Sequence, residues 1–343
     1  MQTLATSSIV TGIFLSTTLV AFSNNWVLAW LSLELNTLSI LPVISKTKHP
    51  RAIEASTKYF LTQAIASCLL LSSSTINSWE TGTWAITQMA NKYASAMMFI
   101  ALTMKAGTVP THFWLPEVMQ GSTLTTAMLI ATWQKIAPTI LMLSTSSLTP
   151  PSMALTLGLL SMTFGGWGGM NQTQLRKMMA YSSITNMGWA VVVLTSEPKM
   201  SAINVLTYII ITLPTMSILA LTSTKTLQNM STAWTTSPVA STMMALLMLS
   251  TAGLPPLTGF FPKLLILNEL VMQKLTPAAI LATMTSLLNL VFYLRTTYLT
   301  TLLSPPGSAT STSKWRQMIS KPKTMALTPT ALMTPPALPT LMQ

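Results

Sequence analysis

Aspartate is missing from this 343-residue chain, and the sequence holds only six glutamates, two histidines and one cysteine. These scarcities remove whole classes of chemistry. With so few histidines and acids, a metal site or a nucleophilic triad is not expected. There is no cysteine cluster for iron–sulfur ligation and no pair of histidines on one helix face for haem. No glycine-rich phosphate loop or dinucleotide fingerprint occurs, so the polypeptide by itself shows no redox centre. The single cysteine, Cys68, lies in an apolar run and has no partner for an internal disulfide, so no oxidising compartment is implied. Charge is equally scarce. Only 7% of residues are charged, against about 25% in an ordinary soluble domain.

Hydrophobic residues make up 50% of the chain, in apolar runs of roughly twenty residues along nearly its whole length. The fold class expected is an all-α polytopic membrane protein. Long uninterrupted runs without period-2 alternation argue against a transmembrane β-barrel. The net charge of +12 would suggest nucleic acid in a soluble protein. Here the basic residues fall mostly in short loops, so no nucleic-acid partner is expected. The segment MQTLATSSIV lacks an Arg-rich amphipathic stretch and a cleavage pattern, and reads as the start of a first span rather than a targeting peptide. The 26 methionines and ten tryptophans are mostly packing or lipid-facing residues.

Eleven spans are expected, near 4–22, 25–44, 59–78, 93–118, 122–145, 152–170, 178–195, 201–222, 239–272, 277–298 and 324–342. The last is crowded by Pro329, Pro335, Pro336 and Pro339, and a polar loop, 299–323, precedes it. Loop charges test the count. Loops after even-numbered spans hold Lys46, Lys48, Arg51, Lys58, Arg176, Lys177, Lys225, Arg295, Lys314, Arg316, Lys321 and Lys323. Loops after odd-numbered spans hold only Lys92, Lys199 and Lys274. Lys/Arg bias sets orientation, so the even loops and the N-terminus are expected on the side from which the chain is inserted.

The stretch ASAMMFIALTMKAGTVPTHFWLPEV, Ala94 to Val118, organises the rest. It starts as an apolar helix, then meets Lys105, Gly107, Pro110, His112 and Pro116. Proline removes a donor and clashes one turn back, so the helix must break. A break inside hydrocarbon is tolerated only where protein or water satisfies the freed backbone groups. The device recurs: Ala106-Gly107-x-x-Pro110-x5-Pro116 is matched by Ala252-Gly253-x-x-Pro256-x5-Pro262, offset by 146 residues, with Lys263 directly after. That offset pairs the fourth span with the ninth. A five-helix unit is odd, so its second copy is expected to be inverted. The expected organisation is one transmembrane domain: a first repeat at 1–147, a second at 148–298, the polar loop at 299–323 and a C-terminal helix at 324–343. No ionisable residue lies at the offset from Glu34 or Lys135, so the second copy is degenerate.

Glu34, Lys105, Lys135 and Lys263 sit inside spans rather than at their ends. Each costs on the order of 2.5–3.5 kcal/mol at mid-bilayer, roughly 10–14 kcal/mol together. Retaining them requires pairing, hydration or neutralisation. The functional reading is proton transfer. A low-dielectric site disfavours a lysine's charged form and a nearby carboxylate favours it, so such a lysine takes up and releases a proton near neutral pH. Glu34 moving toward or away from Lys105 would switch it, Lys135 would be the next station, and Lys263 would serve the second half. His112 is balanced between packing and relay. The bland alternative is fixed ion pairs joining helices, but one buried acid cannot pair with three lysines. Glu54, Glu117 and Glu269 lie near span ends, where ordinary solvation accounts for them.

Taken together, LSLELNTLSILP, MKAGTVPTHFWLPEV, WQKIAP, LRKMMAYSSITNMGW and STAGLPPLTGFFPKLLIL resemble the antiporter-like membrane subunits of respiratory complex I. The resemblance covers essentially the whole chain, and eleven spans fit the shorter form of that family. It implies a proton-translocating module driven by NADH:ubiquinone electron transfer. Glu34 and Lys105 match the family's Glu–Lys pair, Lys135 its central lysine, and Lys263 the lysine of the second broken helix. It implies no redox cofactor on this chain, with FMN, iron–sulfur clusters and ubiquinone elsewhere in the assembly. Implied partners are other membrane-arm and supernumerary subunits, phospholipids, protons and internal water. The implied location is the mitochondrial inner membrane, with basic loops and N-terminus facing the matrix. Two other readings stay open at this stage. One is a stand-alone cation/proton antiporter, which lacks added cation-binding carboxylates here. The other is a structural spacer with vestigial charges.

Overall fold

Proline, glycine and asparagine punctuate the apolar runs, and the helices start and stop at them. In the computed structural model, which describes residues 2–231, 238–255, 257–301 and 327–332, the chain is helical apart from two isolated bridges among those residues. The helices are α1 Gln2–Ala21, α2 Trp26–Ile44, α3 Pro50–Thr81, α4 Lys92–Ala106, α5 Trp114–Gly121, α6 Leu124–Ala131, α7 Ile136–Ser144 and α8 Pro151–Met170. They continue with α9 Leu175–Val193, α10 Pro198–Thr222, α11 Leu227–Met230, α12 Pro238–Ala252, α13 Phe260–Met272, α14 Thr276–Thr300 and α15 Leu327–Leu332. Pro50 opens α3, where a missing N–H costs nothing; Gly82 closes it in the left-handed region, φ +68°. Asn91 caps α4 by accepting the Tyr93 N–H at 2.8 Å.

The first ten expected spans each coincide with a helix or a broken helix pair: α4 with α5, α6 with α7, α12 with α13. Five stretches combine the length and hydropathy to cross a membrane: Trp26–Thr47, Pro50–Thr81, Leu124–Ser144, Pro198–Thr222 and Thr276–Thr300. The expected eleventh span lies outside the described residues except for Leu327–Leu332, and the polar loop beyond Thr301 lies outside them too.

The surface is apolar. Phe22, Trp79, Tyr93 and Trp167 point outward, as they do when lipid rather than water is the solvent. The interior is rich in serine and threonine. Their hydroxyls donate to carbonyls one turn back, as Ser32 does to Ala29 at 2.8 Å and Ser161 to Gly158 at 2.7 Å, so few are left unpaired. Small residues also let α8 and α9 approach closely. A Cβ on Gly158 would meet the Val192 Cγ2 at 2.5 Å, and one on Gly188 would meet the Ser161 hydroxyl, which is the small-residue packing of membrane helices.

A second correspondence between the halves is invisible in the motifs. Trp26 N–H donates to the Trp84 carbonyl at 2.9 Å and Ile86 N–H to the Asn24 carbonyl at 3.0 Å. Leu175 N–H donates to the Lys225 carbonyl at 3.2 Å and Leu227 N–H to the Thr173 carbonyl at 3.0 Å. In each half the start of the second helix is stitched to the loop after the third.

Candidate functional site

Lys105 occupies the last turn of α4, which Gly107 ends at φ +78°. Two freed carbonyls of that turn find donors across the break. Thr108 N–H and hydroxyl both donate to Thr103 C=O at 3.1 Å, and the Trp114 indole N–H donates to Met104 C=O at 3.3 Å. A Cβ at position 107 would meet the Trp114 ring at 3.1 Å, so glycine is what admits the indole. The Lys105 ammonium itself is buried and has no hydrogen-bond partner among the described residues.

Glu34, half-buried on α2, accepts from the Thr37 hydroxyl at 3.2 Å. The only ion pairs among the described residues are the two that Lys58 makes. The buried lysines are therefore not locked into the fixed pairs of the bland alternative.

Lys135 lies on a single 3₁₀ turn, Trp133–Lys135, between α6 and α7. Pro138 explains the interruption, since it leaves the Gln134 carbonyl without an α-helical donor. The Lys135 ammonium donates to the Ser183 carbonyl of α9 at 3.2 Å and lies 5.4 Å from the centre of the Tyr208 ring, within cation–π range. Lys105 and Lys135 open into one cavity of about 20 Å³ of mixed lining, whose other polar groups include Asn36, Tyr59, Gln63 and Gln134. One water needs roughly 10–15 Å³. Gln134 crosses this cavity, donating to Asn36 Oδ1 at 3.0 Å and accepting from the Tyr59 hydroxyl at 3.5 Å.

Lys263 stands in the first turn of α13 and reaches back across the second break. Its ammonium donates to the end carbonyls of α12, Ala252 at 2.9 Å and Thr251 at 3.3 Å. That is the negative pole of a helix, a favourable place for a cation. Gly253, at φ +85°, makes the approach feasible; a Cβ there would meet Lys263 Cδ and Nζ at 3.0 Å. Pro256, the other residue of the second motif, lies outside the described residues.

Exposure is 6% at Lys105, 2% at Lys135, 7% at Lys263 and 5% at His112. His112 belongs elsewhere. Its ring packs on Phe113 at 4.2 Å and near Phe164 at 6.1 Å, and it lines neither the Lys105–Lys135 cavity nor the smaller one beyond Tyr208. Glu117 and Glu54 share Lys58, both at 2.6 Å, on a half-exposed rim. Glu269 accepts from Gln273 at 2.7 Å on the surface.

Sequence reasoning passed over Asn36, Tyr59, Gln63 and Gln134. A signal existed: Tyr59, Gln63, Ser67, Ser74 and Asn77 form a buried polar stripe at helical spacing on α3. A polar stripe on a membrane helix faces protein or water, not lipid.

A family model described as NADH:quinone oxidoreductase/Mrp antiporter, TM, matches residues 23–289. The NADH-ubiquinone oxidoreductase chain 2 of Aquarana catesbeiana is 47% identical over 344 residues, covering 100% of this chain and 99% of that protein. The protein of the same name from Varanus baritji is 48% identical over 95% of each chain. Among solved structures, a chain of respiratory complex I from Thermus thermophilus with bound aureothin superposes with a TM-score of 0.84 at 25% identity. The match covers 97% of this chain and 79% of that one. A chain of the Mrp complex from Dietzia sp. shares the fold, with a TM-score of 0.77 over 88% of this chain and 61% of its own, at 17% identity.

Proposed function

We propose, from the premise that the chain belongs to the NADH:quinone oxidoreductase/Mrp antiporter transmembrane family, that Glu34, Lys105, Lys135 and Lys263 carry its proton. The chain is a proton-translocating, antiporter-like subunit of respiratory complex I, a part of the NADH:ubiquinone oxidoreductase. The observation that supports the relay is the single cavity onto which both Lys105 and Lys135 open, with Asn36, Tyr59, Gln63 and Gln134 also on its wall.

A proton held on Lys105 stays there while the Glu34 carboxylate is near enough to stabilise the ammonium. When the carboxylate swings away, burial disfavours the charge and the proton leaves. Lys105 has no competing hydrogen bond among the described residues to break first. Gln134, tied to Asn36 and Tyr59, holds the cavity open and polar between the donor and Lys135. Lys135 receives the proton against the Ser183 carbonyl and the Tyr208 ring. Lys263, held by the end carbonyls of α12, is the corresponding station of the second half. His112 lies off this line and packs. Electrons travel elsewhere in the assembly, so this chain holds no redox cofactor; FMN, iron–sulfur clusters and ubiquinone belong to its partners.

The paired breaks and the paired backbone stitches support two repeats, 1–147 and 148–298, in opposite orientations. The expected setting is the mitochondrial inner membrane, with the basic loops on the matrix side and lipid around the apolar faces. Lys105→Met and Glu34→Gln in the assembled enzyme test the relay. Both are expected to lower the protons moved per electron while NADH oxidation continues. An unchanged ratio in both would leave the chain a spacer.

A further inference from the structure

Between Lys135 and Lys263 the structure holds two tyrosines that no proton step above uses. Resting on the relay reading, we infer that the Tyr208 and Tyr293 hydroxyls join the two halves of the proton path, handing the proton from Lys135 to Lys263.

Tyr208 is buried on α10 with its ring under the Lys135 ammonium, and among the described residues its hydroxyl has no hydrogen-bond acceptor or donor of good geometry. It lies beside the side chains of Ser183 and Thr212 and in electrostatic range of Tyr293. Ser183 is the residue whose carbonyl takes the Lys135 ammonium, so the tyrosine and the lysine meet at one turn of α9. Tyr293, on α14, is buried with its hydroxyl equally unmatched, beside the side chains of Ser182 and Thr251. Thr251 in turn presents its carbonyl to the Lys263 ammonium at 3.3 Å. The neighbouring hydroxyls have already given away their protons: Ser182 to Met179, Ser183 to Ala180, Thr212 to Tyr208 and Thr251 to Met248 carbonyls. Toward a tyrosine they are therefore acceptors. A cavity of about 10 Å³ is bordered by Tyr208, Asn186, Asn204 and Thr251, which is close to the space of one water.

A buried hydroxyl left without a partner costs about 1–3 kcal/mol. Phenylalanine fills nearly the same volume without that cost, so two such tyrosines in line between two lysines call for a role. A phenol hydroxyl donates and accepts at once. The step balances without electrons. An N–H bond of the Lys135 ammonium breaks and its proton passes to the Tyr208 oxygen. The O–H bond of Tyr208 breaks toward Tyr293, whose own proton leaves toward neutral Lys263. Both tyrosines end neutral, and reorientation of their O–H bonds resets them.

The test is Tyr208→Phe and Tyr293→Phe in the assembled enzyme, reconstituted in proteoliposomes, beside Lys263→Met. Phenylalanine keeps the ring against Lys135 and the packing, so a merely structural tyrosine leaves pumping intact. The inference expects the protons moved per electron to fall in Y208F to the level of K263M, with NADH oxidation retained. Y293F is expected to do the same, and it reads the link by itself where Y208F does not assemble. Tyrosine variants that pump at the native ratio while K263M falls would overturn the link and leave the lysine relay standing. A native ratio in K263M too would remove the relay first, and the link with it.

Discussion

The two broken helices end in glycines of nearly the same backbone geometry, and this permits a controlled comparison. Gly107 has φ +78° and Gly253 has φ +85°. Alanine at either position is forced into the left-handed region, at roughly 1–2 kcal/mol. The new Cβ meets different things. At 107 it approaches the Trp114 ring at 3.1 Å and the Leu115 side chain at 3.5 Å, neither of which carries a proton. At 253 it approaches Lys263 Cδ and Nζ, both at 3.0 Å. The ammonium must then give way, and its bonds to Ala252 at 2.9 Å and Thr251 at 3.3 Å lengthen. A hydrogen bond to a charged group contributes about 1.5–3 kcal/mol. Losing one is roughly a 10- to 100-fold drop in the population with Lys263 seated on the helix end. The expected outcome is asymmetric. Gly107→Ala and Gly253→Ala both lower the amount of assembled enzyme, but only G253A lowers the protons moved per electron. The assay is that ratio in proteoliposomes, normalised to assembled enzyme on native gels. Equal ratios in the two variants, or a loss confined to G107A, would refute the placement of Lys263 in the path.

Three further outcomes follow from the same geometry. Gln134→Leu strands the Asn36 carbonyl oxygen and apolarises the cavity, which is expected to cost about 1–3 kcal/mol and to slow pumping; an unaltered pumping rate in proteoliposomes would contradict the bridging role of Gln134. Lys58→Met removes both rim ion pairs, but the groups are half-exposed, so thermal stability is expected to change little and any change to vanish in high salt. Gly158→Ala drives a Cβ against Val192 at 2.5 Å; overpacking of about 1–3 kcal/mol should reduce assembly while whatever assembles pumps at the native ratio.

Helix positions, breaks and buried charges were legible because each has a local cause. Length and hydropathy mark spans, proline and glycine mark breaks, and a lone lysine in an apolar run announces itself by its cost. The interruption at Trp133–Lys135 also has a local cause, since Pro138 removes the donor for the carbonyl one turn earlier. The lysines' partners were beyond reach. Lys135 is held by a backbone carbonyl 48 residues away and Lys263 by carbonyls of the preceding helix, and carbonyls carry no residue signature. For His112 the sequence left packing and relay balanced, and its ring contacts with Phe113 and Phe164 come from the fold, which the two flanking prolines do not announce.

The register of the repeat makes the two lysines of the breaks unlike one another. At an offset of 146, Lys105 falls on Thr251, whereas Lys263 falls on Glu117, which is occupied with Lys58 on the rim. The second half thus carries its amine on the opposite side of the break from the first. Yet the Lys263 side chain folds back and sets its ammonium on the carbonyl of Thr251, the counterpart of Lys105 itself. The two halves bring a cation to equivalent backbone from opposite directions. The difference in reach sets the difference in control. Lys105, without a hydrogen bond among the described residues, is on the proposed relay the lysine that a shift of the Glu34 carboxylate would switch. Lys263 is seated on fixed helix carbonyls and makes no ion pair among the described residues, so on the proposed relay its timing would come from the proton that reaches it.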